Sequence, residues 1–212
     1  MRHSFCDYHL LEILNGFEKS SLPLDAYLNQ YLRANKAVGS KDRQKICSKL
    51  YTLIRFRGLI DAFLTPPIDW KKRLDRLPTL DLKEAALKNN LPSHVKVSFP
   101  KVFFQLLETE YGEKKALQIG QSLNENAPLT IRFNPLKTTR QELLEKLQKE
   151  LNAPLQTTLL SEYGLTLEKI SNLFALPAFK AGLFEMQDEN SQLIALALKA
   201  EAGDLVLDFC AG

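Results

Sequence analysis

Cysteine is scarce in this 212-residue sequence, and its three copies, Cys6, Cys47 and Cys210, lie far apart. With no CxxC pair and only three histidines, the chain has no disulfide framework and no obvious ligand set for a structural zinc. No metal site is expected. Long apolar runs are also missing: none approaches the ~18 residues of a membrane-spanning helix. The opening Met1-Arg2-His3-Ser4-Phe5-Cys6-Asp7 lacks the unbroken apolar stretch of a secretory signal. Repeats and low-complexity segments are absent. What is present is ordinary for a globular protein, 45% hydrophobic and 25% charged residues, which excludes a disordered chain. The expectation is a cytoplasmic protein with no membrane partner.

The net charge of +3 hides an asymmetry. Residues 1–101 hold 18 Lys and Arg against 10 Asp and Glu, whereas residues 102–212 hold 10 against 15. A basic half followed by an acidic half suggests two modules, the first facing a polyanion.

The first two-thirds reads as helix. Leu10, Leu11, Leu14 and Phe17 recur at helical spacing, as do Tyr27, Leu28, Tyr31 and Leu32. After Gly39, Ser40 is a candidate N-cap for a helix carrying Ile46, Leu50, Leu53 and Ile54. Leu59, Ile60, Phe63 and Leu64 extend the apolar stripe until Thr65-Pro66-Pro67. An all-α bundle over 1–65 is the natural reading. The proline-punctuated stretch 66–127 reads as a connector with helices from 101, broken near Tyr111-Gly112.

After Pro128 the period changes. Leu129-Thr130-Ile131-Arg132-Phe133 alternates as a half-buried strand. An amphipathic helix spans 139–151, and strand-like pieces follow at 155–160, 165–169 and 183–186. That order predicts a small ferredoxin- or RRM-like α+β unit over 128–186. A helix capped by Asp188 and a strand at Leu205-Val206-Leu207-Asp208-Phe209 close the chain. An apolar strand followed by Cys210-Ala211-Gly212 reads as the opening of a nucleotide-binding βα turn.

These segments together resemble RsmB/Sun-type RNA cytosine-5 methyltransferases. Gln187-Asp188-Glu189-Asn190-Ser191-Gln192, then Ala202-Gly203-Asp204 and Val206-Leu207-Asp208-Phe209-Cys210-Ala211-Gly212, resembles that family's junction into its catalytic domain. Ala127-Pro128 through Thr139-Arg140 is similar to its strand, Asn-centred turn and helix start, and Leu176-Pro177-Ala178-Phe179-Lys180-Ala181-Gly182 to its next landmark. Val38-Gly39-Ser40-Lys41-Asp42-Arg43 with Ile54-Arg55 resembles the NusB-like RNA-binding bundle of many members.

The resemblance implies an α+β protein in four parts. They are a NusB-like bundle (1–65), connecting helices (66–127), a ferredoxin-like subdomain (128–186) and the start of a Rossmann-like methyltransferase domain (187–212). It further implies methyl transfer from S-adenosylmethionine to carbon 5 of a cytosine in ribosomal RNA, with a cysteine adding to carbon 6. In the family both catalytic cysteines lie beyond the motif at Gly212. No catalytic residue is therefore expected here, and the present chain is expected to be inactive and to hold no cofactor. Cys210, Ala211 and Gly212 would belong to the cofactor loop of a longer parent.

RNA contact is expected from Lys41, Lys45, Lys49 and Arg55, which share one arc of their helix, and from Arg132, Lys137 and Arg140 around Asn134-Pro135. Arg43 and Arg57 fall on the apolar side and read as structural, Arg57 with Asp61 one turn on. Trp70 reads as core rather than as a base-stacking platform. The exposed strand 205–209 predicts self-association. The competing reading is a non-enzymatic, NusB-like RNA-binding factor of the antitermination type.

Overall fold

The computed structural model describes residues 4–88, 90–167 and 173–209. The chain folds as two units, Met1–Glu125 and Asn126–Gly212.

The first unit is helical. Ser4 opens α1 (Phe5–Phe17) by accepting from the Asp7 amide, as an N-cap side chain does. α2 (Leu24–Ala34) and α3 (Ser40–Arg55) follow. The N-cap of α3 is Gly39, and the expected cap Ser40 is the first helical residue, with no side-chain cap bond. Leu10, Ile13 and Leu14 of α1 meet Leu28, Leu32, Ile46, Leu50 and Leu53 in one buried core. α4 (Arg57–Asp61) adds Ile60.

The stretch from 66 to 100, read from sequence as a connector, carries structure of its own. α5 (Trp70–Arg76) is capped by Asp69 and sends Trp70 and Leu74 into the α1–α3 core. α6 (Leu82–Ala86) and α7 (Ser93–Lys96) are single turns. Helices this short leave no periodic trace in sequence. α8 (Lys101–Tyr111) and α9 (Glu113–Asn124) are separated at Gly112, whose φ of 75° suits glycine. Val97, Phe104 and Ala116 form a small second core beneath them.

The second unit follows the βαββαβ order. β1 (Leu129–Phe133) leads through α10 (Arg140–Leu151) to β2 (Leu155–Thr157) and β3 (Gly164–Leu167). The single turn α11 (Pro177–Lys180) then leads to β4 (Phe184–Met186). All pairings are antiparallel and the order across the sheet is β2-β3-β1-β4. Leu129, Ile131 and Phe133 share a face with Leu165, Leu167, Leu155 and Phe184, and that face packs on Leu143 and Leu147 of α10. The fold class is α+β, with the ferredoxin-like arrangement the alternation predicted.

α12 (Glu189–Leu198) begins after Asp188, which occupies the N-cap position without making a side-chain cap bond. The expected strand over 205–209 does not form: its described residues join no ladder, and Leu205, Leu207 and Phe209 are almost fully exposed. An apolar parallel strand needs neighbours on both edges, and the sheet of this unit is filled by β1–β4. Cys210, Ala211 and Gly212 lie outside the described residues.

Candidate nucleic-acid interface

The seven cations expected to meet RNA do not stand in equivalent surroundings. Lys41 and Lys45 are exposed on the first two turns of α3, and neither takes part in a described ion pair. Lys49 is tied to Asp7 of α1 at 2.6 Å, and that carboxylate offsets its charge. Arg55 is half-buried, its guanidinium donating to the Asn124 carbonyl at 3.2 Å at the end of α9.

In the second unit Arg132 is exposed on the sheet face away from the core, directly opposite Glu185 in the register. Lys137 donates to the Ala181 carbonyl (2.9 Å), beside Gly182, whose φ of 68° is one that side-chain-bearing residues rarely adopt. Arg140 donates to the Ser161 carbonyl at 3.4 Å. Three of the seven thus hold loop or helix-end carbonyls, which gives each a structural role beside any phosphate contact. Asn134 organises its turn by accepting from the Leu136 amide and donating to Gly182.

Two of the three residues read as structural, Arg43 and Trp70, behave so, whereas Arg57 is exposed. Arg43 donates to the carbonyls of Val38 and Leu32, fastening the α2–α3 turn. Trp70 is 2% exposed, with the Arg73 guanidinium 4.5 Å and the Arg57 guanidinium 5.3 Å from its ring. Arg57 pairs with Asp61 as expected, but shares that carboxylate with Arg73. Asp61 receives Arg73 through two bonds of 2.7 and 3.0 Å, while Arg57 approaches only to 3.9 Å. The sequence reading had missed Arg73, set among exposed cations in Lys71-Lys72-Arg73.

A polar node in the second unit was also unforeseen. The Glu189 carboxylate accepts from the amides of Leu160 and Ser161 in the β2–β3 loop. Ser161 Oγ donates to Gln192 Oε1 at 2.7 Å, and Gln192 Nε2 donates to the Gln187 carbonyl at 2.9 Å. Thr158 Oγ1 closes the loop on the Ser161 carbonyl. The first turn of α12 is therefore built into the ferredoxin-like unit, although sequence assigned it to the next domain. No sequence signal joins residues 28 to 31 positions apart, but Glu189 and Gln192 lie one turn apart on the same helix face.

Comparison with known proteins now bears on this geometry. The family model described as the Methyltr_RsmF/B-like, ferredoxin-like domain matches residues 99–173. The probable ribosomal RNA small subunit methyltransferase B of Synechocystis is 34% identical over 117 residues, 54% of this chain and 26% of that protein. The ribosomal RNA small subunit methyltransferase B proteins of Vibrio vulnificus and Vibrio cholerae are 30% and 34% identical, each over 74% of this chain and 34% and 33% of their own length. These matches support the N-terminal part of the RsmB/Sun methyltransferase family.

The chain corresponds to the family's N-terminal part and spans about a third of the length of the Vibrio relatives. The crystal structure of PH0851 matches with a TM-score of 0.58 at 16% identity, over 90% of this chain and 54% of that one, a likeness of fold. The family model begins at residue 99 and so takes in α8 and α9 ahead of the sheet.

Membership in an RsmB/Sun family implies S-adenosylmethionine in the relatives, and the described residues do not fit that molecule. The segment from Leu205 to Phe209 presents no paired strand end from which a glycine-rich turn would aim its amides. Cys6 and Cys47 are free, partly buried thiols. Burial pushes both thiols above their ordinary value, and the Asp42 carboxylate, which accepts from Cys6 Sγ, adds to the effect there. Among the described residues no helix is long and apolar enough to cross a membrane, and no cluster of His, Cys, Asp or Glu could hold a metal ion.

Proposed function

We propose that this chain is the RNA-recognising part of an S-adenosylmethionine-dependent ribosomal RNA (cytosine-5) methyltransferase acting in the cytoplasm. The carrying observation is the match of the RsmF/B-like ferredoxin-like domain to a chain whose first unit leaves Lys41 and Lys45 exposed on one helix. The first unit is read as a NusB-like bundle that tracks phosphates; the second presents Arg132, with Lys137 and Arg140, beside the loop at Asn134. Phosphate contacts of this kind position a substrate without reading its sequence. The antitermination-type alternative finds no support among the relatives, all three of which are named as methyltransferases.

On this reading Cys210, Ala211 and Gly212 belong to the opening of a cofactor loop, and the chain binds RNA. Ultraviolet crosslinking of the chain to small-subunit ribosomal RNA tests this. Crosslinked peptides from α3 and from the turn at residues 134–140 are expected. Crosslinks confined to neither region, or none above an unrelated helical protein, would overturn it.

A further inference from the structure

Two aromatic rings on the first turn of α1 lie outside every role assigned above. Phe5 is 49% and Tyr8 54% exposed. Three positions apart, they share the outward arc of the helix. Single exposed aromatics are ordinary on protein surfaces. This pair differs because both rings are held. His9, buried beneath them, meets Phe5 edge-on at 4.6 Å and Tyr8 at 5.3 Å. His9 is itself fixed by a 2.7 Å hydrogen bond between its Nδ1 and the Tyr31 hydroxyl of α2. The rings form a preorganised apolar platform, so little rotamer entropy remains to be lost on contact.

The platform borders the cationic end of α3. Cys6, between the two aromatics in sequence, donates its thiol hydrogen to Asp42, and Asp7 holds Lys49. Lys45 lies within one helical turn of both Asp42 and Lys49, the α3 residues that contact the first turn of α1. Lys41 lies one turn away from it on the same helix face. Aromatic faces beside a row of ammonium groups are the combination that takes unpaired nucleotides, the cations following phosphates while rings stack on bases. A duplex offers the same phosphates but no free base face.

We infer that Phe5 and Tyr8 form a stacking platform for unpaired bases of an RNA strand whose phosphates run along Lys45 and Lys41. The inference rests on the RNA-binding reading above and adds to it a preference for single strands.

The test uses the whole chain and two ligands, a single-stranded oligoribonucleotide and a blunt-ended, loop-free RNA duplex of equal phosphate number. The double substitution Phe5→Leu, Tyr8→Leu keeps apolar bulk and removes the ring faces. It is expected to weaken single-strand binding about tenfold and to leave duplex binding and the melting temperature unchanged. Tyr8→Trp should retain the affinity, and its added fluorescence should be quenched on binding the single strand. If the wild-type chain binds single strands and the leucine variant binds them equally well, the platform is refuted while the RNA-binding reading stands. If the wild-type chain binds neither ligand, both fail together.

Discussion

At the scale of single residues, the salt bridge between Asp61 and Arg73 shows how a charge can be structural while sitting in a basic run. The Arg73 side chain is 5% exposed and makes two short bonds to one carboxylate. Replacing Asp61 by Ala would strand a guanidinium in the core, for which the cost is about 3 kcal/mol or more. Arg57→Ala removes a pair at 3.9 Å from an exposed side chain and should cost under about 1 kcal/mol. Urea unfolding followed through the fluorescence of Trp70, the single tryptophan, measures both. Equal losses for the two variants would mean that Asp61 serves Arg57 as much as Arg73. Sequence spacing favours Arg57, four residues from Asp61, because helical neighbours are what periodicity can see. Arg73 is 12 residues away, across a turn, and only the packing of α5 brings it there.

At the scale of elements, legibility followed local information. β1 was read with its observed bounds because Leu129, Ile131 and Phe133 alternate with polar positions and Pro135 ends the run. α10 was legible because Leu143, Leu144, Leu147 and Leu151 recur at helical spacing. Its start is fixed by a capping box the sequence reading did not name, in which the Thr139 side chain accepts from the Glu142 amide and the Glu142 carboxylate accepts from the Thr139 amide. Those bonds hold the Glu142 carboxyl below its ordinary value of 4.5. A depressed folded-state value means stability is present in full above 4.5 and is lost as pH falls through the folded value. Thermal melting of the chain should therefore fall more steeply below pH 4.5 than melting of Glu142→Gln, which has no carboxyl to protonate. Thr139→Ala should cost about 1 kcal/mol at neutral pH. Parallel pH profiles for wild type and Glu142→Gln would show that the capping box carries no titrating stability. The latch of α12 on the β2–β3 loop was illegible for the opposite reason: Glu189 reads locally as first-turn acid, and its true partners are backbone amides in another loop.

The segment after α12 belongs to the same scale. Leu205, Leu207 and Phe209 are exposed by 101%, 83% and 91%, which is a large apolar surface on a short stretch. Light scattering at increasing concentration should show self-association of the chain. A chain ending at Lys199 should stay closer to monomer mass. The same concentration dependence in both would move the association surface elsewhere.

At the scale of the whole molecule, the sequence reading found the α+β class, the ferredoxin-like unit and the family, because each rests on ordered local motifs. It misjudged the surroundings of its cations, because Lys49 finds Asp7 42 residues away and Arg55 finds Asn124 69 residues away. Net charge in the first 101 residues thus overstates what a polyanion meets. Lys41 and Lys45 are the cations of the α3 stripe with no described ion pair or carbonyl partner, and the account concentrates the phosphate contacts of the first unit on them. The direct test is the salt dependence of binding to a structured small-subunit ribosomal RNA fragment. The logarithm of the association constant should fall linearly with the logarithm of salt concentration, by roughly 0.7 to 0.9 per phosphate contact. Replacing Lys41 and Lys45 together by Ala should flatten that slope by about 1.5, and Lys49→Ala should change it little. A slope near zero for the wild-type chain, or one untouched by the double substitution, would contradict the account.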